Sequence, residues 1–198
     1  MKKFVILLIT AIAVVGAILI YNHFDKLDIQ SSQTTEILHD YTLIEGDEIL
    51  FQKTSIDEII KNINTKTGII FLCTPDSMWC QYYAKYLNEI AISKDIDVIY
   101  YADIKLERNI NSTKYQKLVN LLSELLYVDD AGDKRIYMPE VLFVKDGVII
   151  EHDNETSVVR SDLTPSEYWN ETNINELKNK LSNYIDEMNQ IDVVESED

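Results

Sequence analysis

The chain is poor in residues that break or cross-link a fold: it has 5 Gly, 3 Pro and 2 Cys among 198 residues. So little Gly and Pro excludes a collagen-like or low-complexity chain. Two cysteines exclude a small scaffold built on many disulfides. Basic residues are also scarce, with 18 Lys and Arg against 34 Asp and Glu, a formal charge of −16. That deficit argues against nucleic acid as a partner, because such binding sets cations against phosphates. It reads instead as a soluble, self-repelling surface. The histidines His23, His39 and His152 are scattered, and none stands in ligand spacing with Cys or carboxylates. No Gly-rich phosphate loop and no Gly-x-Ser-x-Gly elbow occurs, so neither cofactor nor metal is expected.

What is present is apolar. Hydrophobic residues make up 46% of the chain, enough for one ordinary domain with a core and an appendage. Lys2-Lys3 precede Phe4 to Ile20, an uncharged run broken only by Thr10 and Gly16. Its 17 residues sit at the short end of what spans a bilayer. Tyr21-Asn22-His23-Phe24 offers no small-residue cleavage site. Residues 1–24 are therefore expected to be an uncleaved signal anchor, a single transmembrane helix in the cell membrane. The lysines stay cytoplasmic and the C-terminal part is extracytoplasmic. A polar linker over 25–40, a domain over 41–190 and an acidic tail over 191–198 complete the expected organisation.

Within the domain, 42–44 and 48–51 read as a strand or short hairpin around Gly46-Asp47. Ser55-Ile56-Asp57-Glu58 is a capping box, opening a helix with Ile56, Ile59, Ile60 and Ile63 on one face. Gly68 to Leu72 is a continuous apolar run, as in a central parallel strand. The next helix carries Trp79, Tyr82, Tyr83, Tyr86, Leu87 and Ile90 at helical spacing. Ile96 to Ala102 reads as a strand. Tyr115 to Leu126 reads as a helix capped by Asn111 or Ser112. Val141–Val144 and Val148–Ile150 flank Lys145-Asp146-Gly147, a hairpin with an Asp-Gly turn. Thr164-Pro165-Ser166-Glu167 starts a last helix, with Ile174, Leu177, Leu181, Tyr184, Ile185 and Met188 on one face. The order β-α-β-α-β-α-β-β-α predicts a mixed sheet with helices on both faces.

Ser77-Met78-Trp79-Cys80 lies where a strand-like run gives way to a helix. A helix N-terminus stabilises a thiolate, so sulfur chemistry is expected at this place in a fold. Ser77 has no comparable acidity and reads as an N-cap. Cys80 falls one turn into the helix, where apolar burial makes a thiol inert. Cys73 ends the preceding strand. The residues favour two free, buried cysteines. A Cys73–Cys80 disulfide stays open, given an oxidising compartment and an even cysteine count.

This element order, together with three local marks, resembles the thioredoxin-like superfamily. The marks are Ser77-Met78-Trp79-Cys80 with the helix Gln81 to Ile90, the segment Met138-Pro139-Glu140-Val141-Leu142-Phe143-Val144, and the turn Lys145-Asp146-Gly147. The resemblance covers about residues 41–190. It extends to small extracytoplasmic thioredoxin-like proteins of low-GC Gram-positive bacteria, among them the group labelled bacteriocin transport accessory proteins. It implies an α/β, thioredoxin-like fold, a mixed central sheet flanked by helices, here preceded by one N-terminal transmembrane helix. It implies a cis peptide bond before Pro139, facing the active-site cysteines. It places the attacking cysteine at Ser77, where this chain has a hydroxyl, and the resolving cysteine at Cys80, with Cys73 as a possible disulfide partner. Trp79, Met138 and Pro139, with Arg135 and Tyr137, are then candidates for a groove that docks polypeptide.

Two functions follow as expectations. One is a thiol–disulfide oxidoreductase-like protein with a degenerate site, working on exported polypeptides or a thiol–disulfide partner. The other is a non-catalytic polypeptide-binding or chaperone-like module. The missing attacking sulfur favours the second on physical grounds. A third reading makes Ser77 an engineered replacement for cysteine.

Overall fold

The computed structural model describes residues 14–16, 19, 36–37, 39–46, 48–154 and 163–190. Most of the expected anchor and linker, the acidic tail and residues 155–162 lie outside the described residues. Val14–Gly16 are helical. Among the described residues, no helix is long and apolar enough to cross a membrane. The chain divides into two compact units, Met1–Glu36 and Ile37–Asp198, and the second holds the sheet.

Five strands form one sheet: β1 Phe51–Lys53, β2 Gly68–Cys73, β3 Ile99–Asp103, β4 Glu140–Lys145 and β5 Val148–Asp153. Their order across the sheet is β1-β3-β2-β4-β5. β3 runs parallel to both β1 and β2, whereas β4 is antiparallel to β2 and β5. The apolar run at Gly68–Cys73 thus becomes the central strand, flanked on both sides by other strands, which is why it shows no polar alternation. The β4–β5 turn puts Asp146 at φ 49° and Gly147 at φ 80°, the paired positive φ of a tight hairpin turn. A Cβ at Gly147 would lie 2.5 Å from the Asn64 carbonyl oxygen. Glycine is required there by close approach as well as by φ.

The helices are α1 Ile56–Thr65, α2 Met78–Ser93, α3 Lys105–Asn109, α4 Thr113–Leu121, α5 Pro165–Tyr168 and α6 Glu171–Asn189. Side chains of successive strand residues point to opposite faces, and two cores result. Ile69, Phe71, Cys73, Ile99, Tyr101, Val141 and Phe143 pack with α2 and α6 residues, including Tyr83, Leu87, Leu181 and Ile185. Ile70, Leu72, Ala102, Leu142 and Val144 pack with Ile56, Ile59 and Ile63 of α1 and with Tyr115 and Leu118 of α4. The sheet is mixed and flanked by helices, as expected from the element order.

Several boundaries differ from expectation. Thr42–Ile44 forms no strand. Instead the Tyr41 amide bonds the Ile37 carbonyl at 2.7 Å, and Ile37 and Tyr41 are wholly buried, so the core begins before residue 41. β3 starts at Ile99, because Ile96 N–H is spent closing α2 on Ala91 O at 3.0 Å. Regular helix in α4 stops at Leu121, although Leu122 and Leu126 remain buried in turns beyond it. Ser112, not Asn111, caps that helix through the Tyr115 amide. The expected last helix is two: α5 stops at Trp169, and Asn170 caps α6 through the Asn173 amide. The short α3 was not anticipated; none of its residues is buried, so it leaves no apolar stripe to read.

Candidate functional site

The strand β2 ends at Cys73, on the face that packs against α2. Thr74, Pro75 and Asp76 then turn the chain, with Ser77 N–H donating to Thr74 O at 3.2 Å. α2 starts at Met78. Gln81 fastens this turn from the helix, donating through Nε2 to Pro75 O at 2.8 Å and to Asp40 O at 2.7 Å. An ion pair between Lys105 and Asp76 ties the turn to the start of α3.

The expectation of two free cysteines is overturned. Cys73 and Cys80 form a disulfide, with Cα atoms 5.9 Å apart. Cys73 faces α2, and Cys80 lies one turn into that helix facing back, so the tight turn brings the two sulfurs together. Sequence separation alone does not reveal such a meeting. Both residues are 0% exposed, so an external thiolate reaches the bond only if the corner opens. Thr74 N–H points at Cys80 Sγ from 3.4 Å. Reduction would take two electrons and two protons and leave two thiols. The Cys80 thiolate would then meet that amide and the positive end of α2.

Ser77 occupies the N-cap position of α2 as expected, but its side chain makes no capping hydrogen bond. Among the described residues, no histidine or carboxylate bonds its hydroxyl. Nothing there activates it as a nucleophile. Met78 beside it is 51% exposed. Trp79 is half-buried and packs edge-on against Tyr168, ring centroids 5.4 Å apart, so it belongs to the rim rather than the core.

The peptide bond between Met138 and Pro139 is cis. Leu72 pairs with Glu140 in the β2–β4 register, and one step further sets Pro139 opposite Cys73. Met138 packs against both cores. The fold therefore gathers Cys73, Cys80, Ser77, Met138 and Pro139 at one end of the sheet, with Trp79 beside them on α2.

Two buried polar groups beside this corner were missed. Glu140 is 0% exposed, at the start of the strand that carries Leu142 and Val144 into the aliphatic core. It accepts from Asn154 Nδ2 at 3.0 Å and bonds His152 Nδ1 at 3.1 Å. Burial pushes its carboxyl above the usual range, and the His152 and Asn154 bonds hold it partly back. The hydrogen bond to Glu140 pushes His152 up in turn. On the opposite face, Tyr83 donates to Asp153 Oδ2 at 2.6 Å and Lys180 donates to Asp153 Oδ1 at 3.2 Å. Burial first and Asp153 second raise the Tyr83 hydroxyl well above its ordinary value. A glutamate inside the apolar run Pro139–Val144 was the readable sign of the first group.

Among the described residues, no cluster of His, Cys, Asp or Glu could hold a metal ion. Compared with protein-family models and with curated proteins, the chain matches none.

Proposed function

We propose that this is a membrane-anchored, extracytoplasmic thioredoxin-like protein whose redox site has lapsed, and that the domain binds exported polypeptide rather than turning over disulfides. The observation that carries this reading is the disulfide: both sulfurs are wholly buried and bonded to each other, while a hydroxyl without an activating base stands at the attacking position. The strand and helix order, the mixed sheet and the cis bond before Pro139 support the thioredoxin resemblance. The anchor rests on the uncharged run Phe4–Ile20 behind Lys2-Lys3. Met78 at 51%, Leu106 at 67% and Ile110 at 64% exposure lie on α2 and α3 and just past α3. The Asp76–Lys105 pair joins the starts of those helices. Apolar side chains beside a proline-edged corner suit an extended polypeptide.

A second reading keeps redox work, with Cys73 and Cys80 as the pair. The Thr74 N–H on Cys80 Sγ and the helix N-terminus favour it, because both stabilise a thiolate leaving group. One experiment separates the two: a thiol count with and without reductant under native conditions, beside an insulin-reduction assay of the wild type and of Ser77→Cys. Binding alone predicts no reducible thiols without denaturant and no turnover by the wild type. Insulin reduction by the wild type would sink it.

A further inference from the structure

A concave site is lined by residues other than those of the disulfide corner. α3, α4 and the 127–135 turn enclose a cavity of ≈ 530 Å³, a size typical of small-ligand sites, which run from about 300 to 1,000 Å³. Arg108 and Arg135 both line it, beside Lys134. The whole chain has only three arginines in a formal charge of −16, so two of them converging on one cavity is a departure from the rest of the surface. Among the described residues, neither guanidinium has an ion-pair partner. Arg108 Nε is buried with no hydrogen-bond partner, although the guanidinium lies 5.7 Å from the Tyr137 ring centroid. Burial first and the charge of Arg135 second pull Arg108 below its usual pKa. The two cations thus line one cavity without a direct counter-charge.

The walls are held in place before any ligand arrives. Ile136 N–H donates to the buried Tyr115 hydroxyl at 3.1 Å, and Arg135 N–H donates to Tyr127 O at 3.3 Å. Val128 and Lys134 form an antiparallel bridge. Asp129 also lines the cavity, but its Oδ1 already accepts from the Ala131 and Asp133 amides, each at 3.0 Å. Gln116 and Asn120, one turn apart on α4, add amide groups.

We propose that this cavity between α3, α4 and the 127–135 turn binds a small organic carboxylate, clamped between Arg108 and Arg135. A guanidinium fork matches a planar carboxylate through two parallel hydrogen bonds. The Asp129 and Asp133 carboxylates in the wall and the −16 charge disfavour a phosphate dianion, which would meet more repulsion for the same contacts. The amides of Gln116 and Asn120 suit hydroxyl or carbonyl groups on the rest of the ligand.

The test uses the full-length, ¹⁵N-labelled protein and follows its three arginine Nε–H signals, assigned with R108K, R135K and R160K. Lactate (a singly charged hydroxy acid), inorganic phosphate and sodium chloride are titrated at matched ionic strength. The expected result is a saturable shift of the Arg108 and Arg135 signals with lactate, tighter than with phosphate, and no such shift of Arg160. R135K, which keeps the charge and loses the fork, should weaken lactate by about tenfold. Equal shifts with chloride, tighter binding of phosphate, or undiminished lactate affinity in both R108K and R135K would each overturn the proposal.

Discussion

The two faces of the sheet are stabilised by different chemistry. The face under α2 and α6 is aromatic: Tyr41, Phe51, Phe71, Tyr83, Tyr101, Phe143 and Trp169 are buried there, with the disulfide at its end. The face under α1 and α4 is aliphatic, built on Ile56, Ile59, Ile63, Leu72, Leu118, Leu122 and Ile136. Aromatic rings bring large apolar area and, in tyrosine, a polar tip that must find a partner. Hence Tyr83 reaches the Asp153–Lys180 pair. Aliphatic chains bring no such demand, and the buried polar groups on that side include a carboxylate supplied by the strand, Glu140. One face is held by rings and a covalent bond. The other borders the arginine-lined cavity and carries the titratable pair.

The sharpest way to break this contrast is to truncate one residue on each face. Phe71→Ala should cost about 3–5 kcal/mol and Leu118→Ala about 2–5 kcal/mol, with the aromatic side the larger. Urea unfolding of both variants checks the order, and a larger loss for Leu118→Ala would reverse it. Next comes the covalent staple. Replacing both Cys73 and Cys80 by Ala should cost about 2–3 kcal/mol, the amount expected for a short closed loop. A melting temperature unchanged from wild type would show that packing alone holds the corner.

The titratable pair on the aliphatic side gives a smaller, signed effect. His152 has its folded pKa raised from 6.5, chiefly by Glu140. Its contribution is therefore full below pH 6.5 and fades as the pH rises through the raised value. Burial of Glu140, whose pKa is also raised, acts in the same direction, favouring the folded state at lower pH. His152→Gln should flatten the fall in stability between about pH 6 and 8 by about 1 kcal/mol. Denaturant titrations at the two pH values measure it, and a slope equal to wild type would contradict the pairing. The smallest effect is at Ser77. With no capping bond, Ser77→Ala should change stability by less than about 0.5 kcal/mol. Thr164→Ala, which removes a full capping box, should cost about 1 kcal/mol. Equal losses would mean that Ser77 caps in solution.

Much of this architecture was legible in one dimension. The uncharged run that a central strand needs is plain at Ile69–Leu72. The isoleucine spacing of α1 and the Asp146-Gly147 turn read directly as well, because each depends on neighbours within a few residues. The candidate corner was only half legible. Ser77, Cys80 and Pro139 stood out by type and position, yet the pairing of Cys73 with Cys80 did not, nor did the burial of Glu140. α3 and the break at Trp169–Asn170 escaped because neither carries an amphipathic stripe.

By itself the sequence determined the order of the strands and of the longer helices, the apolar central strand and the residues that would crowd the end of the sheet, since periodicity and turn chemistry act locally. Only the tertiary structure decided that two sulfurs seven positions apart are bonded and sealed from water, that Glu140 is wholly buried, and that Arg108 and Arg135 face one cavity. Those outcomes depend on distances between elements, which are set by how the faces pack and not by any spacing along the chain.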